Sequence, residues 1–202
     1  MRRIVTDRNT SGYTYPGNLA FYDNFLDTDG VLLENHTPNK GGPWVASRNG
    51  IEIRSNQAHF GTGTAPYIVD TNINLANCTM AALLYPTATG GDAGFCIRRT
   101  GAALTWHYVH LVSVGGVTGA IEIVRRTPLA ILATSGNVSI IQGYPYIFQV
   151  DLLGNVITAT IRGMYNEATT ITVTDATNAT TYTRGLFMGA HGVQIGEFMV
   201  TP

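Results

Sequence analysis

"YPYIFQVDLLGNVITATIRG", residues 144–163, decides the fold class. Tyr146, Phe148, Val150 and Leu152 alternate with Ile147, Gln149 and Asp151, and beyond Gly154-Asn155 the residues Ile157, Ala159 and Ile161 alternate with Thr158, Thr160 and Arg162. Successive side chains of a strand point to opposite faces, so a period of two with one apolar side describes a strand laid on a core. Gly-Asn tolerates positive φ and suits a tight turn between antiparallel partners. The stretch therefore predicts a hairpin with one dry and one wet face, as two packed antiparallel sheets require.

Similar runs fill the chain: 67–75, 78–86, 94–99, 106–114, 119–126, 129–134, 169–175 and 193–201, rich in Val, Ile, Thr, Tyr and Phe and bounded by Gly, Asn, Asp or Pro. β-branched residues and glycines interrupt every candidate helical periodicity. With many short strands and no helical crossover, a parallel α/β architecture is excluded, and an all-β two-sheet sandwich or barrel of one domain is expected.

Composition narrows the partners. Of 202 residues, 12% are charged and the net charge is -1, which gives no field to attract nucleic acid or an anionic membrane. The N-terminus "MRRIVTDRNTSGYTYPGN" has no apolar segment after its basic start, so a signal peptide is not expected. No apolar run reaches the roughly 18 residues of a membrane-spanning helix. Residues 1–18 are polar and read as an extended arm, with residues 19–202 as the domain. Cys78 and Cys96 have no redox or zinc spacing and are expected to be buried thiols, a single bridge being the other reading.

The order "FYDNFLDTDGVLLENHTPNKGGPWV" (21–45), "IEIRSNQAHF" (51–60), "GFCIRRTGAALTWHYVHLV" (94–112), the hairpin above and "RGLFMGAHGVQIGEFMVTP" (184–202) resembles concanavalin A-like (laminin G-like) jelly-roll domains over residues 19–202. The opening Asp-x-Phe, Asp-Gly and Trp pattern is similar to variants found in bacteriophage structural and adsorption proteins. The resemblance implies an antiparallel jelly-roll sandwich and a virion component, either a capsid decoration (cement) protein or a head or tail fibre protein. Its partners would then be other virion proteins, and its place would be the virion assembled in the host cytoplasm. Homo-oligomerisation is expected on separate grounds, because an uncovered jelly-roll edge strand and an arm both seek partners, with a trimer as the expected oligomer. Since this fold serves many functions, a lectin-like module for host-surface glycans is the alternative.

Enzymatic activity is not expected. Glycanases of this superfold carry paired acids on one strand, whereas Glu52 and Glu122 each stand alone. No nucleophile elbow or phosphate loop is present, and His107 and His110 would point to opposite faces of one strand. "DTDG" fails the spacing of a calcium-binding helix-loop-helix. No cofactor is expected, with calcium left open only if Asp23 on the first strand lay beside Glu197 on the last; otherwise Asp23, Asp27 and Asp29 shape turns. Phe21, Phe25 and Trp44 are expected to anchor those turns.

A binding surface remains. Trp106, Tyr108 and His110 share one face of their strand and Val109 and Leu111 the other. With the latter in the core, the former make an outward aromatic platform that Arg98, Gln149, Thr158 and Thr160 could join, suited to a sugar. Burial of Trp106 against a loop or a neighbouring subunit is the competing reading.

Overall fold

The computed structural model describes residues 18–48, 50–61, 66–87, 90–99, 106–114, 117–163, 167–180, 183–190 and 192–202. The expected arm, apart from Asn18, lies outside the described residues.

Sixteen strands follow in order: β1 (Phe21–Asp23), β2 (Trp44–Arg48), β3 (Ile51–Arg54), β4 (Gln57–Phe60), β5 (Tyr67–Thr71), β6 (Cys78–Pro86), β7 (Gly91–Ile97), β8 (His107–Val114), β9 (Thr118–Arg125), β10 (Ala130–Thr134), β11 (Val138–Ser139), β12 (Tyr146–Leu153), β13 (Val156–Arg162), β14 (Ala168–Thr174), β15 (Arg184–Ala190) and β16 (Val193–Thr201). One turn of 3-10 helix, Leu33–Asn35, is the helical content of the described residues. None of their helices is long and apolar enough to cross a membrane.

The strands form two antiparallel sheets. Sheet A runs β14-β13-β12-β6-β16-β4-β3 with β1 on β16, and sheet B runs β10-β9-β8-β7-β15-β5-β2 with β11 on β9. The hairpin read from sequence is β12–β13, closing with Leu153 opposite Val156 and Gly154 at φ 55°. Tyr146, Phe148, Val150 and Leu152 face the core with Ile157, Ala159 and Ile161, and meet Phe95, Val109, Leu111, Ile121 and Ile123 of sheet B. Phe95 joins the layers, its ring centroid 5.3 Å from that of Phe148 and 5.5 Å from that of Phe198. Each of the larger of these buried side chains contributes about 1.5–3 kcal/mol through apolar surface removed from water.

The first strand pairs with the last, and the opening aspartates shape turns as well as the core. Phe25 adopts φ 55° while its N–H donates to Asp23 Oδ1 at 2.8 Å. Asp27 Oδ1 accepts from the Thr28 N–H at 2.7 Å, and Asp29 Oδ1 from the Ser55 N–H at 2.7 Å. Phe21 and Phe25 pack on Trp44, with ring centroids 4.7 and 6.2 Å away.

A polar cluster closes one end of the sandwich. Asp175, after β14, takes an ion pair from Arg125 at 3.1 Å and lies 3.3 Å from the buried His107. Burial holds His107 below the ordinary histidine value. Burial opposes ionisation of Asp175 too, but hydrogen bonds from Thr177 and His107 prevail and bring its carboxyl down to about 2.

Candidate functional site

β8 carries two opposed surfaces. Val109 and Leu111 enter the core, and Tyr108 and His110, with Trp106 just before the strand, stand on the outside of sheet B. Cross-strand register adds what alternation alone does not. His110 lies opposite Gly94 on β7 and Glu122 on β9, and Phe187 on β15 lies on the far side of Gly94. Because Gly94 contributes no side chain, the rings on either side of it meet. Tyr108 stacks on Phe187 at 4.6 Å and 19°, and His110 meets the Phe187 ring edge-on at 5.5 Å. Trp106 extends the layer, 5.0 Å from Tyr108 and 5.8 Å from Phe187.

This outer layer is itself packed. Trp106 and Phe187 each keep 4% of their surface, with Ile68 and Cys96 buried beside them, so Tyr108, half-buried, is the ring that a ligand can reach. Trp106 thus stands on the expected face but is covered there, and serves as a wall. Together with Pro66, Arg126, Phe187 and Gly189 the two rings line a cleft of about 210 Å³. A larger groove of about 550 Å³ opens further along the same sheet, lined by the Asp70–Arg99 ion pair, Asn72, Asn74, Thr180 and Thr183 among others.

Two carboxylates flank His110. Asp92 Oδ2 lies 3.2 Å from Nδ1, within hydrogen-bond reach, and Glu122 Oε2 lies 3.4 Å from Nε2, a charge contact. Burial works against a charged imidazole, yet the two carboxylates outweigh it and hold His110 above its ordinary value, while His110 holds Glu122 below the usual carboxylate value. Asp92 has room because β15 bulges between Met188 and Ala190, where a side chain on Gly189 would strike its carboxylate. The carboxylates sit at opposite ring nitrogens and do not converge on a point. Among the described residues no group of His, Cys, Asp or Glu is arranged to hold a metal ion.

Several expected site residues lie elsewhere. Gln149 is on β12 of sheet A, on the face turned away from Phe148 and Val150, where its amide bonds both oxygens of Asp151 at 3.1 and 2.9 Å. The whole sandwich separates it from Trp106, and Thr158 and Thr160 share that far side. Arg98, at φ 52°, donates to the Asp175 and Gly154 carbonyls, both at 2.6 Å, and is 1% exposed. It fastens the end of β7 to sheet A instead of joining the aromatic face.

Asp23 and Glu197 form no metal pair. Asp23 lies opposite Phe198, a core residue, so Glu197 next to it points to the other face of sheet A. Asp23 is wholly buried, and its oxygens take the Trp44 indole N–H at 2.6 Å and a His36 contact at 3.0 Å. Glu52 and Glu122 are on different sheets, and Glu52 is ion-paired with Arg54. Sequence reasoning passed over Asp92, Arg126 and Phe187, which only strand register brings to the Tyr108 face.

Aromatic rings beside carboxylates and a guanidinium suit a polyhydroxylated ligand, since C–H faces stack on rings while hydroxyls donate to carboxylates and accept from Arg126.

No family model matches the chain, and no curated protein matches it in sequence. Solved structures do match in shape. The CBM2 module of the evolved Dit of Lactobacillus casei BL23 phage J-1 has a TM-score of 0.57 at 12% identity, over 91% of this chain and 94% of that one. Peanut lectin has a TM-score of 0.60 at 10% identity, over 90% and 95%. The GH43 protein BlXynB of Bacillus licheniformis reaches 0.62 at 16% identity over 89% of this chain, which spans 39% of that larger one. Two packed antiparallel sheets, with a shape that matches lectins and a phage module over most of both chains, give the chain the concanavalin A-like jelly-roll fold.

Proposed function

We propose that the chain is a non-enzymatic carbohydrate-binding module carried on a phage particle, recognising a host-surface glycan through the outer face of sheet B. The observation that carries this reading is the Tyr108 ring, stacked on Phe187 and open to a cleft beside the Asp92–His110–Glu122 row and Arg126. A sugar would lie on Tyr108, with hydroxyls reaching Arg126. The two glutamates weighed as catalytic acids are on separate sheets and so do not pair with each other as glycoside hydrolysis requires. The likeness to a phage Dit module and to lectins supports the same reading.

A glycan array tests it. Binding to a defined glycan set by the wild type, lost in Tyr108→Ala while its far-ultraviolet circular dichroism shows the fold retained, is the expected result. Absence of binding to any glycan, together with attachment of the purified protein to particles lacking it, would favour the decoration-protein reading instead.

A further inference from the structure

Among the described residues the main paths of the two sheets end at four strands, β14 and β3 in sheet A and β10 and β2 in sheet B, with the short β1 and β11 attached beside β16 and β9. An edge strand presents unpaired N–H and C=O groups that template pairing with another chain, and proteins blunt such edges with bulges, charges, proline or short length. Three edges here are blunted. The pairing of β10 slips at a bulge between Ile131 and Ala133, and that of β2 between Ala46 and Arg48. β3 has four residues, including Glu52 and Arg54.

β14 has none of these devices. It runs seven residues, "ATTITVT", with no charge and no proline, and its register with β13 is unbroken from Val156–Thr174 to Arg162–Ala168. Thr169 to Thr174 are all β-branched, the residues that best fit a pleated surface. Among the described residues, none pairs with its outer edge.

The strand is also nearly a palindrome about Ile171. Antiparallel pairing with a second β14 across a two-fold axis at Ile171 sets Thr170 opposite Thr172 of the second copy, and Thr169 opposite Val173. A two-fold interface must be self-complementary in this way. On the exposed face the new Thr170–Thr172 pairs would continue threonine pairs already made with β13, Thr158–Thr172 at 3.2 Å and Thr160–Thr170 at 3.0 Å. On the inner face Ile171 and Val173, packed against the core but only partly buried, would lose their remaining exposure.

We propose that β14 is a homodimer interface, in which the β14 of a second copy adds antiparallel about Ile171 and joins the two sheets A into one. Paired strands in an antiparallel sheet keep the same face up, so both copies present sheet B on the same side. Two Tyr108 clefts would then face one surface, and a surface bearing repeated ligands would be held by avidity. The interface stands on the edge itself and does not depend on what the cleft binds.

Sedimentation of the full chain tests it with paired variants at exposed positions. Wild type is expected to be a dimer. Thr170→Lys with Thr172→Lys sets lysine against lysine across the axis and should give a monomer with an unchanged circular dichroism spectrum. Thr170→Lys with Thr172→Glu sets lysine against glutamate in this register and should restore the dimer. A monomeric wild type, a dimer that survives both lysines, or a Lys/Glu variant that stays monomeric would each overturn the proposal.

Discussion

The Trp44 indole donates its N–H to Asp23 Oδ2 at 2.6 Å inside the sandwich, while His36 bridges Asp23 at 3.0 Å and Asp27 at 2.7 Å. One buried carboxylate thus ties β1 to β2 and to the 3-10 turn. Removing one partner of a buried charged pair leaves the others desolvated and unpaired, at about 3–5 kcal/mol. Asp23→Ala should lower stability by that amount in urea unfolding. Asp23→Asn, which keeps an acceptor for Trp44, should cost clearly less.

Arg98 supports a second prediction. Its guanidinium answers the Gly154 and Asp175 carbonyls across the end of the sandwich. Hydrogen bonds to a charged group are worth about 1.5–3 kcal/mol each, so Arg98→Met should cost roughly 3 kcal/mol or more. Since the Arg98 guanidinium is spent on the Asp175 and Gly154 carbonyls of sheet A and takes no part in the aromatic face, a glycan that binds the wild type should bind the folded fraction of this variant with unchanged affinity. Calorimetric titration below the melting transition checks this.

What the sequence discloses follows from what alternation can carry. It reports which residues share a face, and so it predicts the alternation of β12 and β13 and the common face of Trp106, Tyr108 and His110. It does not report which sheet a strand enters, and for that reason Gln149, with the right face polarity, was joined to a surface on the other side of the core. β15, "RGLFMGA", gave no strand signal because Gly185 and Gly189 replace side chains on its outer face and break the pattern. Phe187 was lost with it, and half of the aromatic stack. Asp92 and Glu122 are 18 and 12 residues from His110 in the chain and become its neighbours only through register.

The Asp92–His110–Glu122 row gives a pH dependence with a definite sign. His110 is raised above its ordinary 6.5 in the folded chain, so the folded state binds the proton more tightly than the unfolded state does. The stability that follows is fully present below about pH 6.5 and is lost as pH rises through the raised folded value. His110→Gln should therefore destabilise the protein most at mildly acid pH and progressively less above neutrality. Because His36 is shifted in the same direction by Asp27 and Asp23 against its burial, and burial shifts His59 and His107 the opposite way, the wild-type profile alone mixes all four. The difference between wild type and His110→Gln, measured from urea midpoints across about pH 5 to 9, isolates the row.

Gly94 links fold and cleft, and its substitution is the most local test of the site. A Cβ there would lie 2.7 Å from His110 Cα and collide with the Val109 carbonyl oxygen, both backbone atoms that no rotamer can move. β7 and β8 would have to separate at the point where His110 and Phe187 meet. Forcing an atom into such packing costs about 1–3 kcal/mol. Gly94→Ala should therefore lower stability by that amount. Unlike Asp23→Ala, it should also disturb the Tyr108–Phe187 stack, because the two rings stand on β8 and β15, on either side of β7. A comparison of the aromatic circular dichroism of folded Gly94→Ala and Asp23→Ala with that of Tyr108→Ala separates these effects. A Gly94→Ala protein with wild-type stability would mean that the strands do not approach as closely as described.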